Sequence, residues 1–214
     1  MNISLSTSTR PRVVIFAKAP LPGFAKTRLI PALGLDGSAQ LARRLLQHTI
    51  QQALAARIGP VELCVSPSVH HPVWKILSLP EILNWSYQGE GDLGQRMGRV
   101  VQRVTQQGEP VILMGTDCPG LTAERLQQAA QALEQHEACL VPVSDGGYSL
   151  LGLHQYDDSL FEDIPWSTDA VARLTRQRIE ALEWCLQELP PLHDIDEPGD
   201  LIHLPASWRA RYSL

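Results

Sequence analysis

Short, continuously apolar runs alternate along this chain with longer segments of helical period, and no other feature restricts the fold as strongly. Residues 12–17 open the pattern with Val13-Val14-Ile15-Phe16-Ala17, a β-branched run that reads as a buried strand. Residues 61–65, 110–114, 138–143 and 148–153 repeat it, and residues 82–87 form a further candidate strand. Between them, residues 36–57 carry Leu41, Leu45, Leu46, Ile50, Ala53 and Leu54 on one helical stripe. Asp92 is placed to cap a helix reaching about Gln106, Thr122 one reaching about His136, and Ser167 or Thr168 one reaching about Leu182. A short helix is expected over residues 72–79 and another after Pro198, with extended chain over 184–189 and 192–195. Strand–helix alternation implies an α/β fold, a largely parallel sheet covered on both faces. The close pair of strands about Ser144-Asp145-Gly146-Gly147 breaks the alternation, so the sheet is expected to be mixed.

At 214 residues the chain suits one domain, assigned to residues 12–214, behind a flexible Ser/Thr-rich leader over residues 1–11. A net charge of −5 leaves no basic stripe for a nucleic-acid backbone, so nucleic acid is not the expected partner. No apolar run has the length of a membrane span, and the leader lacks the apolar segment of a signal peptide, so no membrane insertion is expected. Cys64, Cys118, Cys139 and Cys185 are far apart and show no CxxC spacing. Unpaired, mostly buried thiols in a reducing cytoplasm are the expectation. Sequence alone leaves the oligomeric state open.

In open α/β sheets ligands bind beyond the carboxyl ends of the strands, so the residues following each strand are the candidates for chemistry. Two of the three lysines, Lys18 and Lys26, bracket the Pro22-Gly23 loop after the first strand, with Thr27 and Arg28 directly behind. Fixed cations on a Gly-containing loop suit a polyphosphate. Asp117 follows the apolar run at 110–114; a carboxylate there has little water and needs a cation or hydrogen-bond donors. It reads either as a turn or capping residue or as a metal ligand, since magnesium takes one or two protein carboxylates plus phosphate oxygens and water. Asp194 and Asp196 share a face of an extended segment and form a candidate second metal arm, or a solvated turn. Asp92 is a helix cap or an acceptor contact, and Arg96, one turn on, faces an anionic acceptor or a surface carboxylate. Asp145-Gly146-Gly147-Tyr148 is a tight turn that also admits close approach of a ligand. Trp166 is a packing residue or a stacking platform.

Taken together, Lys18-Ala-Pro-Leu-Pro-Gly23, Lys26-Thr-Arg-Leu29, Gly115-Thr-Asp-Cys-Pro119, Asp145-Gly-Gly-Tyr148, Pro165-Trp-Ser-Thr168 and Asp194-Ile-Asp-Glu-Pro-Gly-Asp200 resemble the DUF2064 family of the GT-A superfamily of nucleotide-diphospho-sugar transferases. The resemblance spans about residues 12–203. It implies a GT-A fold: a three-layer α/β/α sandwich on a mixed, mostly parallel seven-stranded sheet. Members are usually labelled glycosyltransferases. Lys26-Thr-Arg-Leu29 also looks like the phosphate loop of phospholactate guanylyltransferases. Residues 194–201 resemble the Asp-x-Asp-Thr-Pro-Glu-Asp-Leu ending of GT-A nucleotidyltransferases, with Glu197 in place of Thr and Gly199 in place of Glu. The resemblance implies that Asp117 and Asp196 hold Mg2+ or Mn2+. The Asp-x-Asp that many GT-A glycosyltransferases carry after the central strand is missing, because residue 119 is proline.

Two reactions fit this set. In nucleotidyl transfer a small phosphorylated acceptor attacks an NTP and pyrophosphate leaves, with Lys18, Lys26 and Arg28 neutralising phosphate charge. In glycosyl transfer the same cations stabilise a departing nucleoside diphosphate, and Asp145 contacts the donor sugar or acts as base. A non-catalytic nucleotide-binding module is the third reading. The partners expected are an NTP or nucleotide sugar and a small-molecule acceptor.

Overall fold

The structure, a computed structural model, describes residues 10–210. Most of the expected leader and the last four residues lie outside the described residues. Seven strands, β1 (Arg12–Lys18), β2 (Val61–Ser66), β3 (Asn84–Tyr87), β4 (Val111–Met114), β5 (Ala138–Pro142), β6 (Tyr148–Leu153) and β7 (Leu186–Glu188), form one sheet in the order β3-β2-β1-β4-β6-β5-β7. Among the described residues six α-helices accompany it: α1 (Ile30–Ala56), α2 (Val73–Ile76), α3 (Leu93–Thr105), α4 (Ala123–Leu133), α5 (Val171–Ala181) and α6 (Ala206–Arg209). Only β6 runs against its neighbours, pairing antiparallel with β4 and β5, while every other pairing is parallel. The sheet is therefore mixed and mostly parallel, with helices on both faces, as the alternation and the turn at Asp145 imply. Among the described residues no helix is long and apolar enough to cross a membrane.

The two faces of β1 explain its unbroken apolar run. Val13, Ile15 and Ala17 pack with Leu46 and Ile50 of α1 and Leu126 and Ala129 of α4. Val14 points the other way, among Val100, Val101 and Val104 of α3 and Ile179 of α5. A third, smaller cluster joins Leu29, Leu41, Leu45, Ile195, Leu201, Leu204 and Trp208. It fastens the C-terminal segment to α1 and to the turn that precedes it. Each such side chain buried from water contributes roughly 1.5–3 kcal/mol before entropy is charged.

Three local expectations are refined. A separate helical turn begins at Ile30, where Pro31 suits a first turn; Gly34, at φ 71 and ψ 175, kinks the chain, and the long helix runs on from there, close to the expected start at residue 36. Residues 192–195, expected as extended chain, add no ladder to the sheet: Leu192 forms one isolated bridge to Val143, and Ile195 N donates to Asp117 O at 2.8 Å. Neither Ser167 nor Thr168 caps a helix. Ser167 is left-handed at φ 65, the Thr168 hydroxyl donates to Pro165 O at 2.7 Å, and α5 begins only at Val171.

Candidate functional site

At the carboxyl end of β1 the chain turns through Gly23, whose φ of 73 suits glycine, and reaches Lys26 in a left-handed conformation at φ 53. Leu29 then drops into the third apolar cluster and anchors the turn Thr27–Leu29. The geometry sends the Lys26 side chain inward, where only 5% of it is exposed. Its Nζ donates to Ile195 O at 2.5 Å and lies 2.7 Å from Asp117 Oδ1 and 3.6 Å from Asp196 Oδ1. Arg28, 58% exposed, places Nη1 2.6 Å from Asp196 Oδ2. Two of the three cations of the first loop, Lys26 and Arg28, thus meet the carboxylate after β4 and the carboxylate of the C-terminal motif.

Asp117 is not a helix cap. Thr122 caps α4, accepting from Arg125 N at 3.3 Å, while Thr116 Oγ1 donates to Asp117 Oδ1 at 3.3 Å. The expectation of a carboxylate short of water needs correction: half of the Asp117 side chain is exposed, and its partner Lys26 is the buried member of the pair. The strand buries its own residues, but the chain leaves the sheet at Gly115 before Asp117 is reached.

Asp196 is fixed by Asp200, whose Oδ2 accepts from Asp196 N at 3.0 Å and from Glu197 N at 2.7 Å. Ile195, fully buried between the two aspartates, holds them turned away from the apolar cluster. Burial, and then the neighbouring charges of Asp145 and Asp200, push the Asp194 carboxyl up to about 6, with Lys26 opposing. Asp194 thus feels the charges of Asp145 and Lys26. The Asp145 carboxylate accepts from Gly147 N at 2.8 Å, closing an Asx turn.

Gly146 serves the fold. At φ 90 it lies so close to the loop before α5 that a Cβ would sit 2.3 Å from Asp169 O, and its own carbonyl accepts from Ala172 N at 2.9 Å. Burial pushes the Tyr148 phenol up and keeps it neutral against the second core. Asp92 caps α3 in a reciprocal box with Gln95, at 2.8 and 3.1 Å. A Cβ on Gly94 would meet Trp166 Nε1 at 2.7 Å, so Trp166 packs against the first turn of α3, beside Asp92 and Arg96. Arg96 Nε is buried without a hydrogen-bond partner among the described residues. Lys18 is exposed at the end of β1, and Pro22, Gly23 and Thr27 line the outer side of the loop.

The structure thus joins Lys26, Arg28, Asp117 and Asp196 directly, with Asp194 and Asp145 alongside, and gathers Asp92, Arg96 and Trp166 at the start of α3. Sequence reasoning missed the Ile195 carbonyl and Asp200. The Glu197-Pro198-Gly199-Asp200 spacing of a capping box was the available signal for Asp200. All four cysteines are free, and Cys185 alone is exposed. Beside Asp117, Cys118 is pushed up to about 11 by burial, and its thiol donates to His193 O at 3.2 Å, so it is no nucleophile.

Among the described residues no group of three or more His, Cys, Asp or Glu stands ready to hold a metal ion. Two carboxylates sharing one ammonium are nevertheless the donor set from which magnesium and manganese sites are made, phosphate and water completing the shell.

Residues 49–168 match the family described as "Uncharacterized protein conserved in bacteria (DUF2064)", and the chain belongs to that family. No curated protein matches it. Among solved structures, a candidate nucleotide-diphospho-sugar transferase from Desulfovibrio desulfuricans is 29% identical, with a TM-score of 0.85 over 96% of this chain and 94% of that one. A nucleotidyl transferase from Methanothermobacter thermautotrophicus is 14% identical, with a TM-score of 0.63 over 96% and 99% of the two chains. Rv0371c of Mycobacterium tuberculosis, in complex with manganese, is 16% identical, with a TM-score of 0.52 over 92% and 98%. The last two share the fold, and the neighbours together are nucleotidyl and nucleotide-sugar transferase-like proteins.

Proposed function

We propose that this protein is a divalent-metal-dependent nucleotidyltransferase. A phosphate oxygen of a small acceptor attacks the α-phosphorus of an NTP, the bond between the α-phosphorus and the bridging oxygen breaks, and pyrophosphate leaves with the electron pair. One observation carries the reading: Lys26 and Arg28, from the loop after β1, converge on Asp117 and Asp196 at the carboxyl ends of the central strands. Asp117 and Asp196, with Asp194 beside them, would hold Mg2+ or Mn2+, which supplies charge neutralisation to phosphate oxygens when bound. The manganese complex of Rv0371c and the nucleotidyl transferase of M. thermautotrophicus support this choice of chemistry.

The chain's own residues supply position and charge. Exposed Lys18 and Arg28 face solvent where phosphates arrive, and Arg28 has the planar fork for bidentate contact. Pro22, Gly23 and Thr27 shape the loop that presents them. Asp92, Arg96 and Trp166 at the start of α3 form the acceptor side, where Arg96 suits an anionic group. No covalent nucleophile is required, because in-line displacement at phosphorus needs positioning and charge neutralisation.

The 29% identical candidate nucleotide-diphospho-sugar transferase favours a second reading, glycosyl transfer with Asp145 against the donor sugar. A turnover screen with four NTPs and a panel of nucleotide sugars, each with Mg2+ or Mn2+, separates the two. Pyrophosphate as product supports nucleotidyl transfer, and a nucleoside diphosphate replaces it with glycosyl transfer. Nucleotide binding with no product under any condition reduces the protein to a binding module.

A further inference from the structure

We infer that Lys26 is a built-in surrogate cation: its ammonium holds the two carboxylate arms together in the metal-free protein, and a divalent ion enters only when a nucleotide draws that ammonium away. The inference rests on the reading of Asp117 and Asp196 as metal arms.

The three basic side chains of the first loop are not equivalent. Lys18 is exposed and has no ion pair among the described residues, and Arg28 is mostly exposed. Lys26 is buried; its ammonium donates to Ile195 O at 2.5 Å and forms ion pairs with Asp117 Oδ1 at 2.7 Å and, more distantly, with Asp196 Oδ1 at 3.6 Å. In this arrangement the ammonium is turned to protein oxygens, and its charge is already matched by two carboxylates rather than offered to a phosphate. The ammonium occupies the space between Asp117 and Asp196, the two carboxylates that would hold a metal ion.

The backbone does not have to move for the exchange. Ala25 and Leu29 are buried on either side of the turn and fix Lys26 at its left-handed φ of 53. Its four-carbon stem can still swing the ammonium toward solvent. A free divalent ion must evict that ammonium and part it from both carboxylates with no other anion to replace them. A nucleotide brings phosphate oxygens that accept the displaced ammonium while its metal ion takes the vacated carboxylates. Metal and nucleotide therefore bind with positive coupling, and the coupling is reciprocal.

Electron paramagnetic resonance of Mn2+ distinguishes the free ion, the binary nucleotide complex and the protein-bound ion, and serves as the readout. Wild type and Lys26→Met are titrated with Mn2+ alone, and wild type again with a non-hydrolysable α,β-methylene NTP. Wild type should bind Mn2+ alone at least about tenfold more weakly than Lys26→Met does, within the range of ordinary coupling. It should tighten by a similar factor when the nucleotide analogue is present. Equal Mn2+ affinity in the two proteins without nucleotide overturns the surrogate role and leaves the metal arms standing. No protein-bound Mn2+ in any sample, nucleotide included, overturns the metal arms themselves. Should Lys26→Met fail to fold, wild type alone decides: equal Mn2+ affinity with and without the analogue overturns the inference, and tightening supports it.

Discussion

Leu29 and Ile195 both lose all solvent exposure to one small apolar cluster, and through it the two halves of the candidate site are fastened together. Leu29 ends the turn that presents Lys26 and Arg28. Ile195 separates Asp194 from Asp196 and offers its carbonyl to Lys26. The charges of the site are held in register by a hydrophobic contact lying beneath them.

Ile195→Ala should therefore cost stability and ligand binding together. Deleting a fully buried Ile side chain costs about 2–5 kcal/mol, whereas Ile195→Val costs about 0.5–1.5. Denaturant unfolding should follow that order. Nucleotide affinity should fall in the Ala variant and persist in the Val variant. Unchanged stability of Ile195→Ala would show that the cluster does not carry the C-terminal segment.

Much of this arrangement was readable in advance, and the rest was hidden for identifiable reasons. The continuous apolar run of β1 specified a strand covered on both faces, and the Asp145 turn signalled the one antiparallel strand. Asp92 and Thr122 cap the helices expected of them, because caps are local chemistry. Lys26 was legible as a cation but not as a buried one. Its burial depends on Ile195 and Asp117, which reach it only through the tertiary fold. Gly146 looked like a place for close ligand approach, yet the close approach is made by the backbone of Asp169, which no local pattern reveals. The late start of α5 is local: Ser167 is left-handed at φ 65, and the Thr168 hydroxyl, donating to Pro165 O and accepting from Ala170 N, closes a turn ahead of the helix.

Asp117→Ala should abolish metal-dependent turnover while the protein stays folded. The carboxylate is half exposed, so losing its ion pair costs about 1 kcal/mol or less, and Lys26 keeps the Ile195 carbonyl and Asp196. Circular dichroism and thermal melting without metal check the fold, and product formation checks the role. Persistent turnover would remove Asp117 from the metal arms. A large drop in melting temperature would make it a structural residue.

Arg28→Lys should bind nucleotide about tenfold more weakly than wild type, and Arg28→Ala at least as weakly. A lysine keeps the charge but loses the fork that makes two parallel contacts to one phosphate. One charge-assisted hydrogen bond is worth roughly 1.5–3 kcal/mol, which corresponds to about tenfold or more in affinity. Arg28 is exposed and, among the described residues, pairs only with Asp196, so melting temperatures should barely change. Isothermal titration showing unchanged affinity in both variants would mean that the loop does not bind phosphate.

Asp194 provides a pH signature independent of any substrate. Burial, reinforced by Asp145, raises its carboxyl from 3.8 to about 6 in the folded protein. Between those values the folded chain keeps a proton that the unfolded chain has released, so rising pH favours unfolding. The penalty is absent below about pH 4, builds across the interval and is complete above about pH 6, the reverse of an aspartate stabilised by a salt bridge. Asp194→Asn cannot ionise and escapes it. In metal-free protein the variant should melt with wild type at pH 4 and above it at pH 7.5, the gap opening across that interval. Thermal melts of both proteins at half-unit steps of pH supply the comparison. A gap independent of pH would assign the difference to packing. A variant that melts below wild type at pH 7.5 would show that the ionised carboxylate stabilises the metal-free fold, against the crowding by Asp145 inferred here.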